Sequence, residues 1–183
     1  MKKLLFTLGV VAMFSYISCS KDDDNDSKST DSYFTYDGQK YALNKGYLEY
    51  EFQESSSVYF LELTICSSGI TATSAIFTGI GDYICLDIYT SSKTELPTGT
   101  YHFSSTLRQA GYVEYGEIDM GVNIQEVGED DYVGNYVPFA SGTMTVSKSG
   151  SAYTITVTGK DESNNEIYAT YTGSLTYYDN SKK

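Results

Sequence analysis

From Ser32 onward, apolar and polar residues alternate in short runs, the period of strands half-buried on one face. Tyr47 to Gln53 sets Leu48, Tyr50 and Phe52 against Glu49, Glu51 and Gln53. Val58 to Cys66 directs Tyr59, Leu61, Leu63 and Ile65 inward, and Asp82 to Thr90 does the same with Ile84, Leu86 and Ile88. Ser151 to Thr158 repeats the pattern with Tyr153, Ile155 and Val157. One dry face and one wet face belong to an antiparallel sheet lying on a core. No segment after residue 31 carries a helical period, and Thr106 to Ala110 allows one turn at most.

Turn residues punctuate the pattern. Asp37-Gly38 joins Ser32–Tyr36 to Gln39–Leu43, because both residues accept positive φ in a tight hairpin. Asn44-Lys45-Gly46, Leu96-Pro97-Thr98-Gly99 and Lys148-Ser149-Gly150 turn the chain again. Tyr112 to Glu126 is the longest strand expected. Its inward set runs Val113, Tyr115, then Ile118, Met120, Val122 and Ile124, so its parity changes near Gly116 and predicts a β-bulge there. Tyr136 to Ser147 forms a strand in which Pro138 marks an edge or a start. Glu166 to Tyr178 closes the set with Ile167, Ala169, Tyr171, Leu175 and Tyr177 on one face. About ten strands on short turns predict an all-β domain, an antiparallel β-sandwich or a flattened β-barrel, over residues 32–179. Residues 180–183 are expected to fray.

The chain before Ser32 has a different texture. Lys2 and Lys3 precede Leu4 to Ile17, an apolar run without charge that is too short to cross a bilayer. A positive start, a short apolar run and a small residue before a cut make a secretory signal peptide, residues 1–18. Tyr16-Ile17-Ser18-Cys19 ends it, and Ser20-Lys21-Asp22-Asp23-Asp24 follows. This combination resembles the leader and surface-export signal of Bacteroidetes-type lipoproteins. The resemblance implies acylation of Cys19, an outer-membrane anchor, and export to the extracellular side signalled by Ser20, Lys21, Asp22, Asp23 and Asp24. Two or more acyl chains hold a protein at a bilayer stably. Residues 19–31 read as an acidic tether with almost nothing apolar to bury. Further along, Ser141–Val146 with Tyr171–Leu175, and Thr35–Tyr41, look like hairpins of small all-β lipoproteins of the same group, most of unknown function.

Charge narrows the partners. The chain has a formal net charge of −12, and removing Lys2 and Lys3 with the leader takes it to −14. Nucleic acid and anionic lipid headgroups would be repelled. Cys66 and Cys85 remain after Cys19 is assigned to lipid, an even number in a disulfide-permissive compartment. Both fall on the outward side of their strands, so a cross-strand disulfide or two free thiols are both open.

Candidate chemistry is sparse. His102, the single histidine, alternates with Tyr101 and Phe103 and is expected on the surface. No Ser stands in a nucleophile elbow. Glu49 with Glu51, and Glu117 with Asp119, place two acids on one strand face at spacings a glycosidase would need, although solvated sheet faces show the same spacing. Glu126, Glu129, Asp130 and Asp131 offer oxygens for Ca²⁺ but lack the ordered spacing of a calcium loop. Tyr83 and Tyr89 share an outward face and form a candidate stacking patch for a glycan or protein ligand. These readings point to a lipid-anchored cell-surface binding or adhesion module without enzymatic activity. The alternatives are a structural subunit of a surface assembly, or a surface hydrolase working through a carboxylate pair.

Overall fold

The computed structural model describes residues 31–73, 76–124 and 133–181. These form an all-β fold of thirteen strands: β1 (Tyr33–Tyr36), β2 (Gln39–Ala42), β3 (Lys45–Ser55), β4 (Val58–Cys66), β5 (Ile70–Thr73), β6 (Ile76–Thr90), β7 (Gly99–Phe103), β8 (Tyr112–Ile124), β9 (Val133–Pro138), β10 (Ser141–Ser149), β11 (Ala152–Lys160), β12 (Glu166–Gly173) and β13 (Leu175–Asp179). One sheet runs β13-β3-β4-β6-β8-β7-β10-β11-β12-β1-β2, with β5 added to β6 and β9 to β8. The sheet curls around a single interior. Phe34, Leu48, Leu61, Leu63, Ile84, Leu86, Ile88, Val113, Ile118, Met144, Ile155, Val157 and Ile167 all join that core. Fully burying such a side chain contributes about 1.5–3 kcal/mol. Among the described residues no helix is long and apolar enough to cross a membrane.

The sequence chemistry explains the local structure. Asp37 and Gly38 both take positive φ, 48° and 72°, and the strands they join meet at Tyr36 and Gln39. Alternation in β4 buries Leu61, Leu63 and Ile65, and alternation in β6 buries Ile84, Leu86 and Ile88. The pairs Leu61–Ile88, Leu63–Leu86 and Ile65–Ile84 stand opposite one another. The same holds in β11, where Tyr153, Ile155 and Val157 face the core.

Several expectations change. The sheet is mixed rather than purely antiparallel: β13 pairs with β3, and β7 with β8, in parallel. The stretch read as one strand over Glu166 to Tyr178 is two, because the chain leaves β11 at Ser174 and crosses to β3. Tyr136 to Ser147 also divides. Pro138 ends β9, an added strand, and Ser141 begins β10. An extra strand, β5, pairs antiparallel with the start of β6.

Bulges reset the parity of the long strands. In β8 the inserted residue is Glu114: Tyr115 faces Asp87, and Val113 already faces Ile88. The bulge therefore lies before Gly116. Tyr115 points outward, and Gly116 takes the inward place against Leu86, Phe103 and Phe139. A second irregularity between Gly81 and Tyr83 sends Val122 to the outer side, where it packs with Tyr47, Cys66 and Ile70. In β3 a shift between Tyr50 and Phe52 turns Phe52 out to stack on Phe60, 4.7 Å between ring centroids.

Candidate functional site

The outer face of β3, β4, β6 and β8 carries most of the polar chemistry. Register sorts it into cross-strand rows. Cys66 lies opposite Tyr83 and Tyr83 opposite Asp119. The next row is Tyr47, Thr64, Cys85 and Glu117, and the one after is Glu49, Glu62, Asp87 and Tyr115. The last is Phe52, Phe60, Tyr89 and Tyr112.

The β5–β6 hairpin folds over one end of this face. Ile70 is fully buried there, and Ala72, Phe77, Tyr83, Ile124 and Tyr178 pack around Tyr47, Cys66, Ile70 and Val122. A cavity of about 250 Å³ opens between hairpin and sheet, lined by Glu62, Thr64, Ile70, Phe77, Tyr83, Cys85, Glu117 and Ile124. One side is apolar and the other carries two carboxylates and a thiol.

Hydrogen bonds fix the acidic side. Tyr83 donates to Glu117 Oε1 at 3.0 Å. Tyr115 donates to Glu117 Oε2 at 2.7 Å and lies 2.9 Å from the Tyr136 hydroxyl. Thr64 Oγ1 sits 3.2 Å from Glu62 Oε1 and 3.8 Å from Cys85 Sγ. Beside Glu62, Asp87 has its carboxyl pushed up to about 7, first by burial and then by repulsion from Glu62, Glu114, Glu117 and Glu51. Burial also raises Glu62, and hydrogen bonds from Cys85 and Thr64 offset part of that rise. The Cys85 thiol is held well above its usual range by burial and by Glu62, Asp87 and Glu117. A thiol kept protonated is a poor nucleophile. Ligand atoms of Glu62, Cys85 and Asp87 lie within 4.8 Å of one another, close enough to share a cation.

The sequence candidates fall in different places. Cys66 and Cys85 do share the outer face, but both are free thiols. They sit diagonally, since Tyr83 stands opposite Cys66 and Thr64 opposite Cys85, and the Cys66 thiol instead lies 3.9 Å from the Ile70 carbonyl. Tyr83 and Tyr89 form no common patch. Tyr83 lines the cavity, whereas Tyr89 is fully buried, packs on Phe60 and donates to Glu114. Glu49 and Glu51 come together, but the Asn180 amide bridges them at 2.9 and 2.6 Å, and Glu49 is buried. Asp119 is fully buried against the Gly134 backbone, so Glu117 and Asp119 do not share an open cleft. His102 is on the surface, as read. Cys19, Ser20, Lys21, Asp22, Asp23 and Asp24, and the acids Glu126, Glu129, Asp130 and Asp131, lie outside the described residues.

Sequence reasoning missed Glu62 and Asp87 as neighbours. They lie on different strands, β4 and β6, and only the β4–β6 register brings them together. Compared with known proteins, the chain gives no significant match to a family model, a curated protein or a solved structure.

Proposed function

We propose that this protein is a lipid-anchored surface module that binds a ligand without transforming it, using the cavity under the β5–β6 hairpin. The supporting observation is that cavity: a hairpin built over a sheet face to enclose a part-apolar, part-acidic space. Its polar groups are fixed as a recognition surface. Both Glu117 oxygens accept tyrosine hydroxyls, and the neighbouring thiol stays protonated. The leader and the Cys19 motif supply the setting, an acylated chain hung outside the outer membrane by an acidic tether.

The test uses cells displaying the full chain, probed against glycan, peptide and small-metabolite arrays. Saturable binding that Phe77→Ala weakens supports the reading, provided the variant still unfolds cooperatively. Binding untouched by Phe77→Ala, or a chain that protease added to whole cells cannot reach, sinks it. A surface-assembly subunit is the second reading. It is favoured by β2, whose one described strand partner is β1. An unpaired edge is a template for another chain, and large complexes in size-exclusion chromatography of the full chain would favour it.

A further inference from the structure

We infer that the cavity takes a small organic cation, an ammonium or guanidinium group carried on a short apolar stem. This rests on the binding-module reading above and names its ligand class.

Size is the first argument. Ligand pockets for drug-sized molecules span roughly 300–1,000 Å³, and this one is about 250 Å³. It suits one small molecule or one side chain rather than a run of sugar residues. Shape and polarity follow. Ile70, Phe77 and Ile124 make an apolar wall, which matches a methylene stem. Phe77 and Tyr83 bring aromatic rings to the lining, and a ring face attracts a desolvated cation by about 0.5–2 kcal/mol.

Charge decides the head group. Glu62 and Glu117 line the cavity with no Lys or Arg among the lining residues, and Asp87 stands directly beside Glu62 in register. Like charges opposed across strands repel, so an entering cation favours the ionised form of a carboxyl pair whose mutual repulsion otherwise favours a bound proton. A neutral ligand leaves that repulsion in place, and an anion adds to it. Glu117 keeps acceptor capacity for the head group, because each carboxylate oxygen has two lone pairs and the tyrosines use one apiece.

The experiment is calorimetric titration of the full chain in detergent micelles. The probes are n-pentylammonium, N-acetyl-lysine methylamide, n-pentanol and pentanoate. The first two separate a free amine from a lysine side chain as the source of the cation. Saturable binding of at least one cation is expected, with no saturable binding of pentanol or pentanoate. Glu117→Gln should weaken the cation about tenfold, the loss of one charge-assisted contact. Glu62→Gln provides a second reading should Glu117→Gln fail to fold. Pentanol binding as well as the cations, or Gln variants binding the cations unchanged, overturns the inference. So does Zn²⁺ or Ca²⁺ alone saturating the site and excluding both cations. If the cations fail while an array ligand still binds in a Phe77-dependent way, this inference falls and the binding-module reading stands.

Discussion

Asp87 is where single-residue physics is most exposed. Glu62 faces it from β4, Glu51 from β3, and Glu114 and Glu117 from β8, with Cys85 on its own strand, and the shift adds each of these carboxylates to the burial. The carboxyl moves from 3.8 to about 7 on folding, so the folded chain holds a proton that the unfolded chain has released. Stability from this group is therefore complete below about pH 4 and lost as pH rises toward 7. The full displacement corresponds to ~4 kcal/mol, and partial exposure screens it to about 2 kcal/mol. Asp87→Asn should flatten the fall in urea midpoint between pH 4 and 7 and leave the variant about 2 kcal/mol more stable than the parent at pH 8. Equal slopes for variant and parent would show that Asp87 ionises normally. Asp179 works in the opposite sense. Hydrogen bonds from Ser181 and Lys93 lower its carboxyl to about 2, so its contribution is lost only under strong acid, and the two windows do not overlap. None of this was legible in the sequence, where Glu62 and Asp87 each look like an ordinary outward residue of a strand. Outwardness can be read from period 2, but the identity of the neighbour across the gap cannot.

At the level of elements, alternation told the truth wherever a strand ran without interruption. In β4, in β11 and in the second half of β6 the inward residues are the ones the pattern names. It misled where a residue was inserted. Simple parity placed Phe52 and Tyr115 inside, yet both are exposed, because the shift after Tyr50 and the extra Glu114 each flip the strand. A pattern shows that parity has changed somewhere, while the strand partner decides at which residue. Strand direction was equally hidden, since β13 alternates like any other strand and its parallel pairing with β3 depends on where the chain crosses. The position of the β8 bulge is open to a direct test. A Cβ at Gly116 would lie 2.5 Å from Leu86 Cδ2 and 3.0 Å from Phe103 Cε1. Overpacking of this kind costs about 1–3 kcal/mol, so Gly116→Val should lower the urea midpoint accordingly. Tyr115→Ser should cost at most about 3 kcal/mol, the loss of its hydrogen bond to the Glu117 carboxylate. A harmless Gly116→Val beside a Tyr115→Ser that unfolds the domain would put Tyr115 inside and the bulge elsewhere.

For the whole molecule, the proposed reading raises the question of what would hold a mature chain at a membrane when its net charge is −12 with the leader and more negative still without Lys2 and Lys3. Anionic headgroups repel it, and the negative surface potential of such a leaflet acts against acidic segments as strongly as it favours basic ones. Most large apolar side chains of the described domain lie in one core and one smaller cluster under the β5–β6 hairpin, while Phe52, Ile76, Ile80 and Leu107 stay exposed. In the reading proposed here, the anchor is chemical, through acyl chains on Cys19. Each buried methylene contributes about 0.8 kcal/mol, and two chains together give stable attachment where one gives only marginal binding. The native mature chain should partition into the detergent phase of a Triton X-114 separation. The chain starting at residue 19 with Cys19→Ala should move to the aqueous phase. Its thermal unfolding should stay unchanged, because Cys19 precedes the first strand, β1 (Tyr33–Tyr36), in the chain. A native chain found in the aqueous phase, or a Cys19→Ala chain that stays with detergent, would mean that another part of the protein makes the attachment. The proposed acidic tether would then need a different purpose from holding the binding cavity clear of the bilayer.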